Sequence, residues 1–108
     1  MTTIVIRKTD AGEYRNFVCS GHAGHGFFFQ KDVVCASVSV LVINTINSIE
    51  AFTDAVFTVE SDENDGSMNF RIQKATKEST LLLEAMILGL EMMADNYSEY
   101  IDLKFREV

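Results

Sequence analysis

Apolar and polar residues alternate from Thr2 to Lys8, with Ile4 and Ile6 on one face and Val5 and Arg7 on the other, which predicts a first strand. Asp10-Ala11-Gly12 reads as a turn, and Tyr14 to Ser20 completes a hairpin in which Phe17 and Cys19 share a face. A glycine-rich loop follows, and then an apolar run from Val33 to Ile49 that pulls in two directions. Val33, Val34, Val38, Val40, Val42, Ile43, Thr45, Ile46 and Ile49 are β-branched, so propensity alone favours a strand. The length of the run and the lack of turn residues before Asn44 favour a helix. Val38, Leu41, Val42, Thr45, Ile46 and Ile49 fall at helical spacing, whereas Val33, Val40 and Ile43 lie off that stripe. A helix in a small two-layer domain buries one face on its sheet. The surplus face therefore predicts a second partner, most simply another copy of the chain.

Alternation resumes at Ala55, Phe57 and Val59 and again at Met68, Phe70 and Ile72, with an acidic stretch at 61–66 read as a solvated turn. Ser79 or Thr80 opens a second helix running to about Tyr97, with an inner stripe of Leu82, Ala85, Met86, Gly89 and Met93. Gly89 would let that helix sit close to its neighbour. Ile101, Leu103 and Phe105 alternate with Asp102, Lys104 and Arg106 in a last strand. The order ββαββαβ predicts an α/β (α+β) fold, a two-layer sandwich with a mostly antiparallel sheet and two helices on one face, as a single domain over 1–108.

Composition narrows the function classes. With 47% hydrophobic residues over 108 positions the chain is no disordered tail and can build a core. No apolar run reaches membrane-spanning length without polar interruption, and the N-terminal stretch is too short for a signal peptide, so a cytoplasmic protein with no membrane partner is expected. Two cysteines, Cys19 and Cys35, fit a reducing compartment. A net charge of −7 argues against direct nucleic-acid binding and favours a basic peptide as partner.

The candidate chemistry lies at the two ends of the glycine-rich loop. If the helix starts at Val33, Asp32 is its N-cap, and Cys35 sits in the first turn. The helix dipole and unpaired N–H groups there favour thiolate over thiol. His22, at the end of the preceding strand, would supply the base for a thiol nucleophile. Duller readings stand beside this one. Cys19, in mid-strand, is a small buried hydrophobe. For Cys35, catalysis and packing are level on the residues alone. Ser39, one turn on, would orient the thiol or imidazole, or else cap a carbonyl of its own helix. His22, His25, Asp32 and Cys35 do not match the spacing of structural zinc sites, so no metal is expected. Phe27, Phe28 and Phe29 are either core or surface that an apolar substrate would cover.

At Ser20-Gly21-His22-Ala23-Gly24 and Asp32-Val33-Val34-Cys35-Ala36-Ser37-Val38-Ser39 the chain resembles the ribosomal-processing cysteine proteases called Prp, with their G-H-A…D-[IV]-V-C-A-x-V-S pattern. The resemblance runs essentially the full length, through Leu81 to Leu90 and Tyr97 to Ile101. It implies a cytosolic, homodimeric endopeptidase without cofactor or metal. The implied substrate is the precursor of the large-subunit ribosomal protein numbered twenty-seven, which loses a short N-terminal extension bearing a Phe-Phe pair before the cut and basic residues after it. On this resemblance His22 matches the general base and Cys35 the nucleophile, with Asp32 and Ser39 at supporting positions. The substrate loop would comprise Gly21, Ala23, Gly24, Gly26, Phe27, Phe28 and Phe29, closing over the substrate's paired phenylalanines. Two rival readings are a non-catalytic ribosome-assembly factor holding a basic tail, and a thiol redox sensor in which Cys35 oxidises.

Overall fold

The expected hairpin forms from β1 (Thr2–Lys8) and β2 (Tyr14–Ser20), with Ile6 opposite Phe17 and Ile4 opposite Cys19. Its turn needs Gly12, at φ 86°, whose N–H donates to the Thr9 carbonyl at 2.9 Å. The coordinates are a computed structural model that describes the chain outside residues 22–28, 63 and 65 and outside the side chains of residues 29–32. Then follow α1 (Phe29–Phe52), β3 (Val56–Ser61), β4 (Met68–Lys74), α2 (Lys77–Asn96) and β5 (Ile101–Glu107). The ββαββαβ order stands. The strands form one sheet in the order β3-β4-β2-β1-β5, antiparallel throughout except for the parallel pair β1–β5.

One face of this sheet is covered. Ile4, Ile6, Phe17, Phe70, Ile72 and Ile101 point from it into a single core shared with both helices. Phe70 stacks between Phe17 and Phe57, with ring centroids 4.9 and 5.1 Å away. From α1 come Val34, Val38, Val42, Ile46 and Ile49, with Thr45 buried among them, its hydroxyl donating to the Leu41 carbonyl. Val33, Val40 and Ile43 remain 47%, 68% and 47% exposed, as the off-stripe positions required. Burial of one apolar face has overridden the strand propensity of the β-branched run.

Two expectations need correction here. Val33–Phe52 is long and apolar enough to cross a membrane by length and composition, because its polar interruptions are uncharged until Glu50. In this fold it packs against the sheet as a core helix does. The second concerns α2, which starts earlier than expected: Thr76 is the N-cap, and its side chain and that of Ser79 exchange hydrogen bonds with each other's backbone N–H in a capping box. Its buried residues are Ser79, Leu83, Met86, Ile87 and Leu90, so of the expected stripe only Met86 is fully buried and Ala85 is exposed. The apolar arc of Leu81-Leu82-Leu83 is too wide to choose a face by spacing. Gly89 does abut α1: a Cβ there would come within 2.9 Å of Leu41 Cδ2.

Candidate active site

β2 delivers the chain to Gly21, which lies at φ 87° and is held where a Cβ would collide with the Met1 carbonyl oxygen. The Thr2 hydroxyl donates to the Gly21 carbonyl at 3.4 Å, tying this corner to β1. Facing it across a cleft of about 150 Å³ is the N-terminal half of α1, which contributes Cys35, Ser39 and Ile43. Cys19 and Met68, neighbours across the β2–β4 ladder, supply an apolar wall, and Gly66 closes the side nearest the β3–β4 turn. Cys35 is half-buried here, so its sulfur has both a shaped cavity and access to solvent. A wider groove of about 890 Å³ runs between the β1–β2 turn and the start of α2, but neither cysteine lines it.

Of the expected site residues, the structure brings Gly21, Cys35 and Ser39 to one cleft. His22, Ala23, Gly24, Gly26, Phe27 and Phe28 lie outside the described residues, as does the expectation about how that loop closes. Phe29 is the first residue of α1. The capping role for Asp32 is overturned. The helix begins at Phe29, so Asp32 falls inside its first turn and Cys35 in the second. Phe29-Gln30-Lys31 contains no breaker, and helix propagates upstream through it. The helix-start effect on a charge fades within the first turn, so the expected contribution of the helix dipole does not reach Cys35. Ser39 takes the plainer of its two roles: its hydroxyl donates to the Cys35 carbonyl at 3.0 Å, a bond within the helix.

Sequence reasoning missed Thr2, Cys19, Gly66 and Met68 as cleft walls. Period-two alternation places Cys19 and Met68 on the covered face, but only the β2–β4 register puts them side by side. Burial pushes the Cys19 thiol from an ordinary 9.0 up to about 12. Among the described residues no group of His, Cys, Asp and Glu is placed to hold a metal ion. The two thiols should therefore separate chemically. At pH 8 the thiolate fraction of Cys19 is reduced roughly a thousandfold by such a shift. Alkylation of the native protein should place one label on Cys35 and leave Cys19 unmodified until denaturant is added; equal labelling of both under native conditions would contradict this assignment.

Comparison with known proteins gives this cleft its context. The family model described as "Cysteine protease Prp" matches residues 1–102. A ribosomal processing cysteine protease Prp from Staphylococcus aureus is 29% identical over 107 residues, covering 98% of this chain and all of that one. Crystal structures of the essential ribosomal processing protease Prp from S. aureus superpose over 98% of this chain and all of theirs. The complex with a covalently linked product peptide does so with a TM-score of 0.88 at 29% identity, and the complex with a substrate peptide with 0.87 at 27%. The two-layer fold with five strands and two helices is the same. With the family match running from the first strand into the last, the chain belongs to the Prp family of cysteine proteases.

Proposed function

We propose that this chain is the endopeptidase that removes the N-terminal extension from the precursor of the large-subunit ribosomal protein numbered twenty-seven, with Cys35 as nucleophile and His22 as general base. The observation that carries the reading is Cys35, half-buried on a cleft whose opposite lip is Gly21, the residue directly before His22 in sequence. Similarity to Prp proteases solved with substrate and product peptides supports a peptide as the occupant. In the reaction the His22 imidazole takes the Cys35 proton, and the sulfur attacks the scissile carbonyl carbon. The resulting oxyanion needs backbone N–H donors. The four N–H groups at the start of α1 lack helical partners, whereas that of Cys35, a turn further in, is committed to the helix. Collapse of the tetrahedral adduct breaks the C–N bond, and the imidazolium returns its proton to the leaving amine. Water then hydrolyses the thioester, releasing the acid and restoring the thiol. Asp32 is the residue assigned to orient the imidazole, and Ser39 steadies the helix turn that carries Cys35.

A homodimer working in the cytoplasm belongs to the same reading. Its support is the uncovered apolar face of α1, where Val33, Ala36, Val40 and Leu41 line an open groove, with Leu88 and Met92 exposed on α2. Sedimentation at micromolar concentration should give twice the 12.1 kDa chain mass; a monomer would refute the dimer. The function itself is tested by incubating the pure protein with the ribosomal precursor and weighing the products. Two fragments whose masses sum to precursor plus one water are expected, the new N-terminus following the Phe-Phe pair. An unchanged precursor under conditions where the protein is folded would reject the proposal.

A further inference from the structure

The uncovered face of the sheet carries a pattern that net charge conceals. Strand register aligns Arg106 of β5 with Arg7 of β1, Arg7 with Asn16 of β2, and Asn16 with Arg71 of β4. These residues alternate with the buried Ile6, Phe17 and Phe70, so all of them occupy the face away from the helices. Arg7, Arg71 and Arg106 are exposed, and among the described residues none has a carboxylate within ion-pair distance; Lys104, one pleat along, is the cation that Asp102 neutralises at 3.2 Å. Like charges directly across a ladder repel, so Arg7 beside Arg106 is a standing cost unless an anion covers them. At the ~4.8 Å spacing of strands the row extends about 14 Å, a line rather than a point. Most of the chain's acid sits elsewhere: Glu50, Glu78, Glu84, Glu91 and Asp95 are exposed on the helix layer, while Glu60 of β3 and Asp102 of β5 are the carboxylates that share the open face. That layer is about 10 Å behind the sheet, beyond the ~8 Å screening length at physiological salt.

We propose that the open sheet face, through the cross-strand row Arg7, Arg71 and Arg106, is a docking surface for the phosphate backbone of RNA. Guanidinium groups bind phosphate oxygens bidentately, and a linear polyanion matches a linear array of them better than a compact anion does. Among the described residues the face carries no aromatic side chain for bases to stack on, so recognition is of backbone and largely independent of sequence. The surface is separate from the Cys35 cleft, which opens on the helix side, and the inference goes beyond the protease reading without requiring it.

The test is fluorescence anisotropy of a labelled RNA oligonucleotide titrated with wild-type protein and with the triple variant Arg7→Gln, Arg71→Gln, Arg106→Gln. Exposed positions make the variant safe to fold, and circular dichroism checks that it has. With three phosphates neutralised, log–log salt dependence should have a slope of about −2, roughly a twentyfold weakening between about 50 and 200 mM salt. The triple variant should bind at least tenfold more weakly with a flatter slope. No binding by wild type at the lower salt, or binding unchanged in the variant, overturns the proposal. Poly-glutamate competing as well as RNA of equal charge also overturns it, in favour of an acidic protein partner. Cleavage of a short peptide, measured in parallel, should be the same in both proteins; its absence in wild type would count against the protease reading and leave the RNA result to stand alone.

Discussion

Replacing Cys35 by alanine is expected to abolish peptide cleavage, by at least about 10³-fold in kcat, in a protein that remains folded. In the proposed mechanism the sulfur is the atom that forms the covalent bond, and Cys19, in the same cleft, is held as the neutral thiol by burial. His22→Ala should lose about 10²–10⁴-fold, the usual worth of a positioned acid–base group. Cys35 is not among the core side chains, so the melting temperature of Cys35→Ala should be nearly unaltered. Cys19→Ala is the control. It removes a sulfur from the cleft wall but not from the chemistry, and cleavage should stay within a few-fold of wild type. Near-normal turnover by purified Cys35→Ala would remove the mechanism.

Among the glycines whose surroundings are described, Gly12, Gly21 and Gly89, replacement by alanine should cost most at Gly21. A side chain at φ 87° is strained in itself, and the new Cβ would run into the Met1 carbonyl, a backbone atom that cannot step aside without shifting β1. A cost of at least about 2 kcal/mol follows, which for a domain of this size lowers Tm by about 10 °C or more. Gly12→Ala separates the two causes. Gly12 has nearly the same φ, 86°, but nothing stands within 4 Å of its absent Cβ, so that variant should lose only about half as much. Equal melting of Gly21→Ala and wild type would mean that this corner is not built as described. Because Gly21 forms the lip of the cleft directly before His22, its replacement should also reduce cleavage below the temperature at which the variant unfolds.

The strands of this fold were legible because alternation has a single period and each strand has one wet face. Thr2–Lys8 and Tyr14–Ser20 emerge with their expected bounds. The helices were legible in kind and less so in detail. Leu81-Leu82-Leu83 offers three apolar residues to two neighbours, the sheet and α1, and spacing cannot assign them. Asp32 looked like a helix start because a short polar residue precedes an apolar run, yet nothing upstream of it stops the helix, and α1 begins at Phe29. What was readable is that the end of β2 meets the N-terminal half of α1, with Gly21 and Cys35 on one cleft; the walls were not. Cys19 and Met68 become neighbours only through strand register, which depends on contacts 49 residues apart in sequence, Cys19 opposite Met68. Charge shows the same limit. A net charge of −7 summarises the whole surface, while three arginines aligned across one face are a property of the fold.

The most direct test of the central claim is to trap the acyl-enzyme. A peptide ester ending at the Phe-Phe pair, mixed with the protein and quenched in acid, should leave a thioester that raises the protein's mass by that of the free peptide acid less one water. Proteolytic mapping should then place it on the fragment containing Cys35. The adduct should disappear with hydroxylamine and be absent from Cys35→Ala. An acyl group found on Cys19, or released product with no adduct on Cys35 at any quench time, would contradict Cys35 as the nucleophile.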